Sequence, residues 1–301
     1  MEYKKDIVVV GSIAFDSIKT IKGTRNQLIG GSGTYFSLAA SLYADVHLVG
    51  VVGNDFSNQH ISMFHKKNIS TKHLIKEDGD TFKWGGVYSD DFSTRETLFT
   101  ELGVFENFNP IIDSSQFNKP ILFLANIQPS LQIKVINQIN DPSLIVLDTM
   151  NLWIDNNYDE LIEAIKMSDI LLINDEEIIQ LTDNNNIDEA AQILLKLGLD
   201  AIIIKKGSKG ALIVSGNTTT SIPVVPNIDV FDPTGAGDSF AGGFLGHIAS
   251  NNKLNLIDAV ITGTALASYT VSAFGIEGIK KLELHNIEKR IKLIKDIMGN
   301  F

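Results

Sequence analysis

The segment Asp232-Pro233-Thr234-Gly235-Ala236-Gly237-Asp238-Ser239 sets a carboxylate directly behind three consecutive small residues. Small residues at 235 to 237 let the backbone bend so that several amide N–H groups converge on one point, and the apolar run FAGGF that follows opens a helix. A helix N-terminus carries roughly half a positive charge, so this turn reads as an anion hole that needs no Lys or Arg of its own. Asp238 has two readings. It either satisfies the orphan amides of the first helical turn, as most aspartates there do, or it takes the proton from a hydroxyl that attacks phosphorus. The three small residues beside it, whose amides can serve a ligand, favour the second. The loop is not a Walker motif, because G-x-x-x-x-G-K-[ST] is absent. The G-x-G-x-x-G fingerprint after the first strand is absent as well, which counts against a dinucleotide-dependent oxidoreductase.

Such a turn needs a scaffold, and the chain supplies one. Short apolar runs at 6–11, 46–52, 121–125, 144–148, 170–173 and 201–204 alternate with segments of helical period at 33–44, 57–68, 130–140, 158–167 and 187–198. Continuous hydrophobicity marks strands buried on both faces, so the expected fold is α/β, a doubly wound, mostly parallel sheet with helices on each side. Its ligand edge lies at the strand C-termini. Residues 79–101 break the rhythm. They are rich in Thr, Phe, Tyr and Trp with turn chemistry at Gly85-Gly86 and Ser89-Asp90-Asp91, and they read as antiparallel strands of a small β lid, joined by part of 17–29. An exposed apolar lid face needs cover, which a homodimer through the lid would supply. After residue 205, ALIVSG and TTTSIPVV read as antiparallel edge strands, and 236–249, 255–273 and 285–298 as closing helices. No linker divides the 301 residues, so one domain over 1–301 is expected.

Composition narrows the partners. Lys and Arg number 25 against 36 Asp and Glu, a net charge of −11, which removes the attraction that nonspecific nucleic-acid binding depends on. The absence of cysteine excludes disulfides and thiolate-ligated zinc and suits a cytoplasmic protein. No run approaches the roughly 20 apolar residues that span a bilayer, so no membrane role is expected. The six histidines show no metal-ligand spacing and read as structural or solvated.

DPTGAGDSFAGGF closely resembles the C-terminal signature of the ribokinase-like, or PfkB-type, carbohydrate and nucleoside kinases. Three further stretches fall in that family's order: Gly11-Ser12-Ile13-Ala14-Phe15-Asp16, Gly30-Gly31-Ser32-Gly33, and Asn174-Asp175-Glu176-Glu177, which matches N-x-x-E. The resemblance covers nearly the whole chain and implies a ribokinase-like kinase domain that transfers phosphate from ATP to a primary hydroxyl of a small sugar. A nucleoside kinase of the same fold and a silent sugar or nucleotide binder are the alternatives. By resemblance, Asp238 is the base, and Gly235, Ala236 and Gly237 hold the transferring group. Asn174 and Glu177 organise Mg²⁺, largely through water, against the nucleotide phosphates. Asp232 and Thr234 resemble positions that contribute to a monovalent-cation (K⁺) site in many relatives. Lys205-Lys206-Gly207-Ser208-Lys209-Gly210 resembles the turn beneath the nucleotide, with Gly207 and Gly210 as points of close backbone approach and Lys205 or Lys206 adding charge, or else it is a glycine hairpin with solvated lysines.

On the acceptor side, Asp16, at the end of the first strand, resembles the carboxylate that accepts hydrogen bonds from sugar hydroxyls. Gly30 and Gly31 admit the acceptor close to backbone. Tyr35 stands where sugar kinases commonly place an Asn, and its ring either stacks on a ligand or packs in the core. Asn126, at a strand end, is a further hydroxyl contact. Where many sugar kinases carry Asp-x-Asn-x-Arg, this chain reads Asp148-Thr149-Met150-Asn151-Leu152-Trp153 without the arginine. A phosphosugar acceptor is therefore disfavoured unless Arg25 or Arg95 reaches in from the lid.

Overall fold

The computed structural model describes residues 5–251 and 253–299. The first half of the chain runs β1 (Ile7–Val10), β2 (Ala14–Thr20), β3 (Gly23–Gly30), α1 (Ser32–Ala40), β4 (Val46–Val52), α2 (Asn58–His65), β5 (Ile69–Lys76), β6 (Phe82–Tyr88), β7 (Arg95–Glu101), β8 (Ile121–Leu124), α3 (Pro129–Ile136) and β9 (Leu144–Asp148). It continues with α4 (Asn151–Asn156), α5 (Tyr158–Lys166), β10 (Ile170–Asn174), α6 (Asp175–Thr182), α7 (Ile187–Leu195) and β11 (Ala201–Lys205). The chain closes through β12 (Ala211–Ser215), β13 (Thr218–Ile222), α8 (Ala236–Ala249), α9 (Leu256–Thr270) and α10 (Leu284–Met298).

Nine strands form one sheet in the order β13-β12-β11-β10-β9-β8-β1-β4-β5. The seven from β11 to β5 are parallel, and β11, β12 and β13 follow one another antiparallel, as the sequence pattern requires. Because side chains alternate along a strand, β1 serves two cores at once. Ile7 and Val9 pack beneath α1, α8, α9 and α10, while Val8 and Val10 pack beneath α3, α5 and α7. This burial of both strand faces is the physical reason for unbroken apolar runs. Chain order reverses beside β1, so the crevice for a ligand opens at the carboxyl ends of β1 and β8 to β11.

The small-residue stretch of α8 has a packing cause. A Cβ at Gly242 would stand 2.4 Å from the carbonyl oxygen of Phe36, so α8 lies directly on α1 and fixes the position of its own first turn.

Four strands form the lid sheet, in the order β3-β2-β6-β7. β6 and β7 pair antiparallel as expected, and β2 pairs antiparallel with β3 but parallel with β6, so the lid is a mixed sheet rather than one ribbon. The lid carries its own small core, in which Ile18 and Tyr88 pack on Phe274 with Leu28, Trp84, Phe92 and Phe231. Thr20 Oγ1 donates to the carbonyl of Phe231 (3.0 Å), and Lys22 pairs with Asp229 (2.8 Å). These contacts dock the lid on the segments before and after α8 and α9.

Two differences from the sequence reading concern strands. The first strand ends at Val10, and Asp16 lies on β2, inside the lid sheet, not at the end of the first strand. Glycine at 11 and the chain's turn through Ser12 and Ile13 separate the two. β5 was not expected, because an edge strand buried on one side only, with Lys72 and Lys76 in it, has no continuous apolar run. No helix among the described residues is long and apolar enough to cross a membrane.

Candidate active site

Three neighbouring parallel strands end in polar residues at the same edge: β9 in Asp148, β10 in Asn174 and β11 in Lys205. The β10 to β11 register sets Asn174 beside Lys205. Lys205 Nζ reaches across the end of β10 to donate to Asp148 Oδ1 (2.8 Å) and Oδ2 (3.0 Å). Burial opposes the lysine's charge, yet Asp148, Glu177 and Asp238 outweigh it and hold the ammonium above its usual value. Asp148 was not among the sequence candidates. Its sequence signals are its place as the last residue of LIVLD and at the head of the stretch set against Asp-x-Asn-x-Arg.

Asn174 caps α6. Its Oδ1 accepts from the amide of Glu177 (2.7 Å), and Glu177 Oε2 accepts from the amide of Asn174 (3.0 Å), a reciprocal capping box. The helix start is thus capped by its own side chains with Glu177 buried, and among the described residues Glu177 Oε1 and Asn174 Nδ2 remain for other partners. Burial pushes the Glu177 carboxyl up to about 7, against the pull of Lys205 and the Asn174 amide.

The small-residue turn adopts the conformation its composition allows. Gly235 sits at φ 75, left-handed, and caps α8 without a side chain. The Ala236 amide donates to the carbonyl of Pro233 (3.1 Å), so it is already engaged. Among the described residues the amides of Gly235 and Gly237 meet no protein acceptor. Asp238 follows in the first turn, half-buried, as are residues 233 to 237. Burial and the Asp148 carboxylate push its carboxyl up to about 7, while Lys205 and Arg95 pull the other way. A carboxyl poised there can accept a proton near neutrality. Asp232 is fully buried and ties this turn to the loop after α9, accepting from the amides of Thr234 (2.9 Å) and Gly275 (2.9 Å).

Across the cleft, Asp16 is 3% exposed. Burial, then the carboxylates of Asp232 and Asp238, push its carboxyl up to about 8, although the Gly31 amide and Arg95 favour the anion. A Cβ at Gly30 would lie 1.8 Å from Asp16 Oδ2, so only glycine fits beneath that carboxylate. Gly31, at φ 90, caps α1 and presses on Ser12. Tyr35 is buried, with its ring flat against Gly235: a Cβ there would meet Cγ, Cδ1 and Cδ2 at 2.4 Å each. Among the described residues its hydroxyl has no partner, and the field of Asp16 and Asp232 adds to burial in keeping it protonated. The Tyr35 ring is packed in the core against Gly235, and what it offers to a ligand is its hydroxyl. Asn126 is held in place: its amide donates to Met150 Sδ (3.0 Å) and its side-chain oxygen accepts from Trp153 Nε1 (2.7 Å), which leaves one N–H and one lone pair.

The lid delivers two residues that sequence patterning did not single out as a pair. Tyr88 and Arg95 face each other across β6 and β7. The Tyr88 hydroxyl lies 3.0 Å from Thr234 Oγ1, and the Arg95 guanidinium stacks on Trp84 at 5.2 Å while favouring the ionised forms of Asp16, Glu177 and Asp238. Arg95 is exposed on β7 with its charge directed toward these carboxylates, whereas Arg25 lies over Phe274 at 4.8 Å. In the turn after β11, Gly207 is exposed at φ 53 with open space around it. Gly210 is buried, and a Cβ there would meet the Ile222 carbonyl at 2.1 Å, which makes it a packing position of the β12 to β13 hairpin.

The pattern of a pfkB family carbohydrate kinase matches residues 131–280. A cytidine kinase of Thermococcus kodakarensis is 28% identical over 249 residues, which cover 80% of this chain and 87% of that protein. A ribokinase of Dictyostelium discoideum is 26% identical over 317 residues, covering 91% and 96%. The crystal structure of Methanocaldococcus jannaschii nucleoside kinase, described as an archaeal member of the ribokinase family, matches with a TM-score of 0.79 at 23% identity, over 97% of this chain and 99% of that one. That last likeness is one of fold.

Proposed function

The chain belongs to the pfkB family of carbohydrate kinases and is a kinase with an alcohol acceptor, and we propose that the acceptor is a ribonucleoside phosphorylated by ATP on its primary hydroxyl. The observation that carries the reading is the pairing of a half-buried Asp238 with the unengaged amides of Gly235 and Gly237 at one helix start. Asp238 takes the proton of the acceptor hydroxyl as its oxygen attacks the γ-phosphorus. The bond from that phosphorus to the bridging oxygen breaks, ADP leaves with the electron pair, and the amides hold the equatorial oxygens. Asp16 accepts from the acceptor's ring hydroxyls, Gly30 and Gly31 let it approach, and the Tyr35 hydroxyl offers a further partner. Trp84, half-buried on the lid beside Arg95, offers a ring to a planar base. The similarity to a cytidine kinase supports the same choice.

Glu177 and Asn174 fit Mg²⁺ held through water: a buried carboxylate with one oxygen uncommitted gains from a nearby cation. When bound, the ion supplies charge neutralisation to the nucleotide phosphates. Gly207, exposed and bendable, serves the nucleotide from below. Thr234 Oγ1 bonds Tyr88 and keeps a lone pair, so a K⁺ site in this turn would draw on that oxygen and on the spare lone pairs of Asp232. The homodimer through the lid stays part of the proposal, because every residue of β7 is exposed, Leu98 at 58%; light scattering of the purified protein decides it.

A free sugar is the second reading, supported by the ribokinase among the relatives. ADP release measured with cytidine, adenosine, inosine, ribose and fructose separates the two. The proposal expects a kcat/KM on at least one nucleoside that exceeds those on both sugars; the reverse order gives the sugar reading, and no turnover with any acceptor removes the nucleoside assignment.

A further inference from the structure

The buried ion pair of Asp148 and Lys205 has no packing reason to exist. Taking two charges out of water is costly, and an apolar pair of the same volume would serve the sheet edge as well. The pair's place in the fold supplies the reason. Lys205 closes β11 and Asp148 closes β9, so the side chains meet over the end of β10, at the rim of the cleft. A Cβ at Gly237 would lie 3.5 Å from Lys205 Nζ, which sets the ammonium at the mouth of the turn whose free amides hold the transferring group. Asp148 is itself fixed. Its Oδ1 accepts from the Thr149 amide (3.0 Å), and its carbonyl accepts from the buried Gln132 side chain (3.0 Å), which also holds the end of β8.

The same rim carries three carboxylates, Asp148, Glu177 and Asp238, and a phosphoryl group bearing about two negative charges would be repelled by them. The amides contribute only partial charge. We propose that Lys205 is the cation that meets the γ-phosphoryl group of ATP at the Gly235 to Gly237 turn, and that Asp148 is the positioning residue that aims it there. This rests on the kinase reading above and sharpens it. Lys205 is thereby assigned to the group that is transferred, not to the phosphates that ATP and ADP share, which its place in the Lys205 to Gly210 turn had suggested.

Calorimetric titration of ATP and of ADP, each with Mg²⁺, tests the assignment. Lys205→Met is expected to weaken ATP at least about 10-fold and ADP less than about 3-fold, since one charge-assisted contact is lost from one ligand alone. Lys205→Arg restores part of the ATP affinity. Asp148→Asn weakens ATP about 3- to 10-fold and leaves ADP unchanged, and the double variant Asp148→Asn/Lys205→Met binds ATP no more weakly than Lys205→Met alone, because Asp148 acts through the lysine. Should Lys205→Met fail to fold with its carboxylate unpaired, the double variant carries the ATP against ADP comparison. Equal losses for both nucleotides, or Asp148→Asn and Lys205→Met losses that multiply, overturn the inference and leave the kinase reading intact. A wild-type protein that binds neither nucleotide removes both.

Discussion

The hydroxyls of Tyr88, on the lid, and Thr234, in the turn before α8, lie 3.0 Å apart although 146 positions separate them in the chain. This contact joins the lid sheet to the Gly235–Gly237 turn, so in the proposed reading the position of the acceptor's cover and the geometry of the phosphoryl cradle are coupled through one hydrogen bond. Tyr88→Phe keeps the ring in the lid core and removes only the bond. We expect the acceptor KM to rise about 5- to 20-fold, as one buried hydrogen bond is worth. ATP hydrolysis without acceptor should rise too, because water is excluded less well. Steady-state kinetics and an ADP assay lacking acceptor read both; unchanged values for both would show the bond to be incidental.

Tyr35 leads to a different outcome. Its hydroxyl is buried without a partner among the described residues, a state that costs stability. Tyr35→Phe should therefore melt at the same temperature as the wild type or slightly above it, while the acceptor KM rises. A lower Tm with unchanged KM would mean that the hydroxyl serves the fold.

The pH dependence follows from Asp238. Its carboxyl, raised to about 7 by burial and Asp148 against the pull of Lys205 and Arg95, must be ionised to act as base. Activity as kcat/KM for the acceptor should fall on the acid side through a limb near pH 7. Arg95 favours the anion, so Arg95→Gln should move that limb to higher pH. A limb at or below pH 5, or one that Arg95→Gln moves downward, contradicts the assignment.

Asp16 couples function to stability. Its carboxyl is near 8 in the folded protein and near 4 in an unfolded chain, so the folded state binds this proton more tightly. The stabilisation is complete below about pH 4 and is lost as pH rises through 8, where the buried group must ionise. Asp16→Asn removes that loss. The variant should melt a few degrees above wild type at pH 8, with little difference at pH 5, and bind acceptor weakly. Scanning calorimetry at the two pH values, with an acceptor titration, checks this; a variant less stable at pH 8 would reverse the sign.

The parallel sheet was legible because β1, β4, β8, β9, β10 and β11 are buried on both faces and so read as unbroken apolar runs. The small-residue turn that opens α8 was legible because Gly235, Ala236, Gly237 and Asp238 are contiguous. What escaped depends on register and distance. Asp148 matters because Lys205, on a strand two places away in the sheet, reaches back to it. Tyr88 matters because the lid docks on Phe231 and Phe274, far along the chain. Asp16 was placed on the first strand because GSIAFD runs on from IVVV without a proline or a charge to mark the break at Gly11. Asn126, a strand-end candidate for a hydroxyl contact, is oriented by Trp153 and Met150, contacts no spacing rule reveals.

The base role of Asp238 is the claim on which the rest depends, and Asp238→Asn tests it most directly. The amide keeps the size and the helix start but cannot take a proton, so turnover with the best acceptor should drop by about 1,000-fold or more. The dissociation constants of ATP and acceptor should stay within about 3-fold of wild type, since the amide cradle and Asp16 are untouched. Turnover close to that of the wild type in a correctly folded, ATP-binding variant would show that proton removal lies elsewhere and contradict the account.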